Sequence, residues 1–339
     1  MRNNCMCHEG TCQAPCRPVG WLAAVIAGSV VASCGAADTL FGITNKDLDN
    51  RASLVAIDTE TGATRLFRTI EIPGNLVPES MTFHRRLGEF IIVLSGSDFH
   101  SPYALLRLDP LNGAMSIEPV SGFPADQQKL HGIEYRNDND TLVISFGATE
   151  IHLEDRIAEV SVYGEALAFS PSLGVGDIDY LAWPDSAGNL ILSDPNGHNG
   201  FARLLSVSDP FGSPHFSLYA DTPWQAAIGD PAVDPATLSM YAIQYNDVGG
   251  ALLELVDSEY VQKGAFGAAE QVVGIAFANV TCPGDFDGDG FIDAADMAIL
   301  LGAWSSIGGD LNGDKITNSV DLAILLGAWG PCQGGMPPS

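Results

Sequence analysis

The sequence predicts a mainly β chain: a five-bladed β-propeller over residues 38–280, then a small all-α unit over residues 281–333 that carries a pair of metal-type loops. Three observations predict it. A pair of sequence elements recurs five times at intervals of about 45–52 residues, and self-similarity of that length built from strand-like runs alone marks a radial β repeat. The fifth copy is one strand short, while an unmatched strand stands at the other end of the repeat. An acidic loop of 12 residues followed by an apolar run appears twice, 25 positions apart.

Residues 1–37 read as an export signal with a long leader. Arg2 and Arg17 precede an apolar run at 21–31, and small residues follow through Ala37. That run is too short to span a bilayer, and the small residues sit where a peptidase would cut. Two processing routes stay open: cleavage after Gly35-Ala36-Ala37, or lipid attachment at Cys34 within Val31-Ala32-Ser33-Cys34. Five of the seven cysteines (Cys5, Cys7, Cys12, Cys16 and Cys34) lie in or beside this segment. The remainder keeps only Cys282 and Cys332, an even pair suited to an oxidising compartment. Localisation is therefore expected to be extracellular, periplasmic or cell-surface, with no membrane-spanning segment.

The propeller reading rests on two elements. One reads SLVAIDTETG from Ser53 and ALLRLDPLNG from Ala104, with weaker copies from Ile157, Ala202 and Ala251. The other reads ESMTF from Glu79, HGIEY from His131, DYLAW from Asp179, GDPAV from Gly229 and VGIAF from Val273. Apolar runs at 90–94, 141–146, 190–193 and 238–243 lie between them. The missing strand of the last copy is supplied by TLFGIT at 39–44, and pairing the two would remove an exposed sheet edge.

Residues 285–296 read DFDGDGFIDAAD. Oxygen side chains fall at loop positions one, three, five, nine and twelve as Asp285, Asp287, Asp289, Asp293 and Asp296. Phe291 at position seven offers its carbonyl, and Gly290 at position six permits the sharp turn. A hard cation wants six to eight oxygens, and this spacing wraps them around one point. Residues 310–321 repeat the scheme with Asp310, Asn312, Asp314, Asn318 and Asp321, and the Ile316 carbonyl at position seven. Two Ca2+ ions are expected, the second held more weakly because this loop has two fewer carboxylates and Lys315 in place of the glycine. Met297, Leu300, Leu301 and Trp304 recur at helical spacing, as do Leu322, Leu325, Leu326 and Trp329, which predicts two helices packed through these stripes.

Two such loops ending in Asp, each followed by one short helix and preceded by none, resemble type I dockerin repeats over about 15% of the chain. The resemblance implies a cohesin-type protein partner, read by loop positions ten and eleven, here Ala294 and Ala295, and Ser319 and Val320. It also implies close termini and hence a disulfide between Cys282 and Cys332, worth about 3–4 kcal/mol by loop entropy. Neither helix carries the Lys or Arg of that family. A structural calcium cap therefore stands beside scaffold binding.

The formal charge of -27, from 42 acidic and 15 basic residues, excludes nucleic acid and anionic membrane surfaces as partners. Glu79, His131, Asp179 and Asp230 would face one mouth of a propeller funnel. Glu79, Asp179 and Asp230 are thus the candidate carboxylates if the chain hydrolyses glycosidic bonds, and Trp183 and Trp224 are candidate sugar-stacking rings. No nucleophile elbow, phosphate loop or HExxH is present. The favoured reading is a bacterial exported protein with a non-catalytic recognition or display propeller, open to a carbohydrate ligand, and a dockerin-type attachment module. The alternative is a secreted polysaccharide-degrading glycoside hydrolase docked to a scaffold. Residues 334–339 form a tail without a recognisable sorting signal.

Overall fold

The computed structural model describes residues 7–8, 11–12 and 38–331 apart from 86, 97–102, 112, 125–128, 137–138, 148–155, 174–177, 179, 183–188, 195–202, 222–227, 247–248, 257–258, 267–270, 281–283, 287–290, 307–308, 310 and 313–315. Five antiparallel sheets of four strands each make up a propeller. The second blade runs outward through Leu76–His84, Glu89–Gly96, Ala104–Leu108 and Met115–Pro119. The third runs through Lys129–Arg136, Thr141–Gly147, Arg156–Val160 and Ala166–Phe169. Tyr180–Ala182, Leu190–Asp194, Arg203–Ser208 and His215–Asp221 form the fourth, and Ile228–Val233, Met240–Asn246, Gly249–Val256 and Glu259–Phe266 the fifth. The first blade combines both ends of the repeat: Val272–Ala278 is innermost, followed by Thr39–Thr44, Arg51–Ile57 and Thr64–Glu71. The expected ring closure is there, with Val272 opposite Thr44 and Ala278 opposite Thr39.

Burial explains why the strands read as they do. Second strands such as Thr141–Gly147 are buried at every position because a blade lies on each face, which gives a continuous apolar run instead of alternation. Outermost strands such as Met115–Pro119 are exposed at four of five positions. The buried residues form one apolar cluster per blade boundary. Phe41 and Leu54 meet Met81 and Phe90 between the first two blades, and Leu40 and Val55 meet Tyr241 and Leu252 between the first and fifth. Three further clusters fill the remaining boundaries, so the ring is continuous.

The recurring Asp of the first sequence element is a turn former. Asp58 Oδ1 accepts from the Glu60 and Thr61 amides, and Gly62 closes the turn at φ 68°. Asp109 accepts from the Leu111 amide and Gly113 has φ 74°. These are Asx turns between third and outermost strands, and they account for part of the acidity. In the fifth blade, Leu238 lies in a turn, and the strand expected from 238 runs Met240–Asn246.

Beyond the ring, Phe291–Ile292 pairs with Gly330–Pro331, and two short helices follow one another, α1 at Ala294–Gly302 and α2 at Ser319–Gly327. Leu300 and Leu325 are fully buried with Ile292, against partly buried Phe286, Met297, Leu311 and Leu322. The expected stripe is narrower than its spacing suggested: Leu301, Trp304, Leu326 and Trp329 are each more than 40% exposed. A helix of nine residues covered on one side only buries one residue per turn fully, and the flanking apolar positions face outward. Cys282 and Cys332 lie outside the described residues. Among the described residues no helix is long and apolar enough to cross a membrane.

Candidate functional site

The two acidic loops are wired alike. Asp293, position nine of the first loop, caps α1 by accepting from the Ala295 amide, and Asn318 caps α2 through the Val320 amide. The position-twelve carboxylates, Asp296 and Asp321, are fully buried. Asp296 accepts from the Phe286 amide at 2.7 Å and the Asp293 amide at 2.8 Å. Asp321 accepts from the Leu311, Asn312 and Asn318 amides. Each carboxylate thus ties the second loop position to the ninth and completes a reciprocal capping box. Burial raises the Asp321 carboxyl, but the amides of Asn318, Leu311 and Asn312 outweigh it and hold the group below the ordinary carboxylate range.

Asp285 is buried at the head of the first loop. The Ile316 carbonyl accepts from the Asn318 amide side chain at 3.1 Å. Asp287, Asp289, Asp310 and Asp314 lie outside the described residues, and among the described residues no three His, Cys, Asp or Glu converge as a metal cluster. The donors in place are all oxygens, the set a hard divalent cation prefers, so the residues fit calcium in kind. Ala294, Ala295, Ser319 and Val320 open the two helices and are all exposed.

Two features here escaped the sequence. Phe291 is 2% exposed, but its ring lies in the propeller core, edge-on to Phe67 at 5.5 Å. Arg65, from the outermost strand of the first blade, lies over that ring at 3.4 Å and donates to Asp293 Oδ2 at 3.0 Å. Thr317 was likewise missed: it is fully buried, and its hydroxyl accepts from the Gly309 amide.

In the funnel, among the described residues, four of the five innermost strands carry an irregularity in register. It falls at Glu79, at His131-Gly132, at Asp230 and at Val273. Glu79, His131 and Asp230, singled out in the second sequence element, are therefore bulged residues. Pro78 and Pro231 belong to these bulges and not to turns, at points where a ladder amide is dispensable. Asp179 of the fourth blade lies outside the described residues, as do Trp183 and Trp224.

The bulged side chains meet different fates. Asp230 is 1% exposed and accepts from Ser80 Oγ at 2.7 Å, the Ile275 amide at 2.9 Å and the Met81 amide at 3.3 Å. It binds the fifth blade to the first and second. Ser80 Oγ in turn accepts from the Ile133 amide at 3.2 Å, extending the chain to the third blade. Burial pushes the Asp230 carboxyl up to about 8, against the pull of the Ser80, Ile275 and Met81 donors. Glu134, which the sequence reading did not select, is also raised to about 8, by burial first and then by Asp230. Its carboxylate contacts Thr82 Oγ1 at 3.4 Å. Glu79 is half-buried and accepts from the Ser95 hydroxyl. Burial first, then its charge, raise the nearby Tyr103 hydroxyl to about 12. The signal for Ser80 and Thr82 was present as polar residues alternating with the apolar Met81 and Phe83.

Strand order and closure define the class: a five-bladed β-propeller whose ring is closed by strands from both ends of the repeat. Several solved structures are similar to it. One is a chain of a nidogen/laminin complex, at 11% identity and a TM-score of 0.47, over 72% of this chain and 100% of that one. Another is the Pseudomonas aeruginosa periplasmic gluconolactonase PpgL, at 10% identity and 0.40, over 66% and 81%. A third is the Dos1 propeller, at 11% and 0.35, over 67% and 68%. Likenesses at this level carry no functional argument. No family model and no curated protein matches the chain.

Proposed function

We propose that this is an exported calcium-binding protein: a non-catalytic recognition or display propeller joined to a dockerin-type attachment module. The observation that carries the calcium half is the matching wiring of two loops 25 residues apart, each with a buried position-twelve Asp joining loop positions two and nine. A bound calcium ion would supply charge neutralisation and a fixed centre for each loop. The residues to hold it are Asp285, Asp287, Asp289, Asp293, Asp296 and the Phe291 carbonyl in the first loop. In the second they are Asp310, Asn312, Asp314, Asn318, Asp321 and the Ile316 carbonyl. The attachment half is supported by Ala294, Ala295, Ser319 and Val320, which stand exposed at two equivalent helix starts, where a cohesin-like protein or a cell-surface component would dock. For the propeller, the engagement of Asp230 by three donors weighs against a glycosidase acid–base pair. It favours an inner wall built for rigidity.

Calorimetric titration of the full chain with calcium tests this reading. Two sites are expected, the tighter abolished by Asp285→Ala with Asp296→Ala. Absence of any binding heat, with melting unchanged by chelator, would overturn it.

A further inference from the structure

The helical unit leaves the propeller from the innermost strand of the first blade, Val272–Ala278, and grips the outermost strand of that blade, Thr64–Glu71. This is the blade assembled from the two ends of the repeat. The grip is aromatic and continuous. Phe291 meets Phe67 edge-on at 5.5 Å, Phe67 meets Phe41 at 5.2 Å, and Phe41 meets Phe90 of the second blade at 5.3 Å. Phe41 lies in the strand that closes the ring, directly opposite Ala276. Arg65 covers the outer face of Phe291 and holds Asp293. Fully buried aromatic pairs of this geometry add to the area they bury, and a guanidinium over a ring adds a cation–π term.

We propose that the helical unit latches the propeller ring shut through Phe291 and Arg65, and that calcium in the first loop tightens the latch. The second clause rests on the calcium reading above. Phe291 and Asp293 are positions seven and nine of that loop, so the residues that would face the ion through a carbonyl and a carboxylate are the same ones that grip the blade. Calcium held by Phe291 and Asp293 would keep the Phe291 ring in its slot, and its loss would loosen both contacts together. Binding and ring closure then share one free energy, and each must favour the other.

Hydrogen exchange on the full chain tests the latch, with calcium alone as the added ion. In the wild type, calcium should slow exchange in Thr39–Thr44 and Val272–Ala278 by about tenfold or more relative to chelator, the scale of a local opening suppressed by one contact. The effect should be larger there than in Leu190–Asp194 of the fourth blade. Phe291→Ala should remove that slowing. Should this variant fail to fold, Phe291→Leu with Arg65→Gln reads the same contacts more gently. Arg65→Gln alone should still bind calcium, more weakly by the coupling it loses, and should lose most of the slowing. Calcium uptake with protection confined to residues 284–331 would overturn the latch and leave the calcium reading standing. No calcium uptake, with exchange at the closing strands still accelerated in Phe291→Ala, would sink the calcium reading and uphold the latch itself. Equal exchange in wild type and Phe291→Ala would sink the latch outright.

Discussion

Asp230 illustrates how one side chain can hold several blades. Its carboxyl is the acceptor for a hydroxyl and two amides from two strands of two other blades, and its burial makes the charged form costly. The folded carboxyls of Asp230 and Glu134 titrate near 8, well above the unfolded values of about 4. A folded pKa raised above the unfolded one means that the native state binds the proton more tightly. The contribution of these two groups to stability is therefore full below pH ~4, falls as pH rises towards ~8, and levels off above that. The melting temperature should drop across this window by roughly 2–4 °C or more, the equivalent of about 1 kcal/mol in a ring of this size. Asp230→Asn presents one oxygen to the two amides and an NH2 to Ser80, so it should fold and flatten the profile while Glu134 preserves part of the slope. A wild-type melting temperature that is flat or rising from pH 5 to 8.5 would refute the assignment. The Asp was visible in the sequence as a recurrent inner-strand position. Its role was not, because the groups it meets lie between 45 and 150 residues away in the chain.

At the scale of elements, the close approach of inner strands sets what the first blade tolerates. A Cβ on Gly274 would stand 2.8 Å from the Met81 amide nitrogen and 3.0 Å from the Ser80 backbone. Gly274→Val should thus destabilise the ring by about 1–3 kcal/mol, measured by denaturant midpoint at constant slope; no change would show that the two strands can part freely. In the helices, Leu300→Ala should cost about 2–4 kcal/mol of local stability, whereas Trp304→Ala should cost little. Hydrogen exchange over residues 291–327 separates the two. The strands were legible because a repeat states the same pattern five times, and the surplus run at 39–44 announced the closure. The helices were legible as helices, from their apolar spacing. Their buried face was overread: periodicity marks which side is apolar but not how much of that side finds a neighbour. Arg65 and Phe291 were not legible as a pair at all, since nothing local links an outer strand of the first blade to a loop near the end of the chain.

For the whole molecule, the excess of acidic residues acts collectively. With a net charge of -27, self-repulsion opposes the compact state, and monovalent salt screens it over a Debye length of about 10 Å at 0.1 M. Raising sodium chloride from about 20 to 200 mM should raise the melting temperature by a few degrees. A decrease would show that local pairs such as Arg107–Glu89 outweigh the global field.

Ring closure also imposes an order in time. Thr39–Thr44 emerges first during synthesis, yet the strand it needs, Val272–Ala278, is made more than two hundred residues later. The opening strand must therefore wait, unpaired on one edge, while four complete blades are produced after it. Any chain that stops short of Val272 is left with that edge open, so completion of the first blade serves as a check that the whole repeat has been translated.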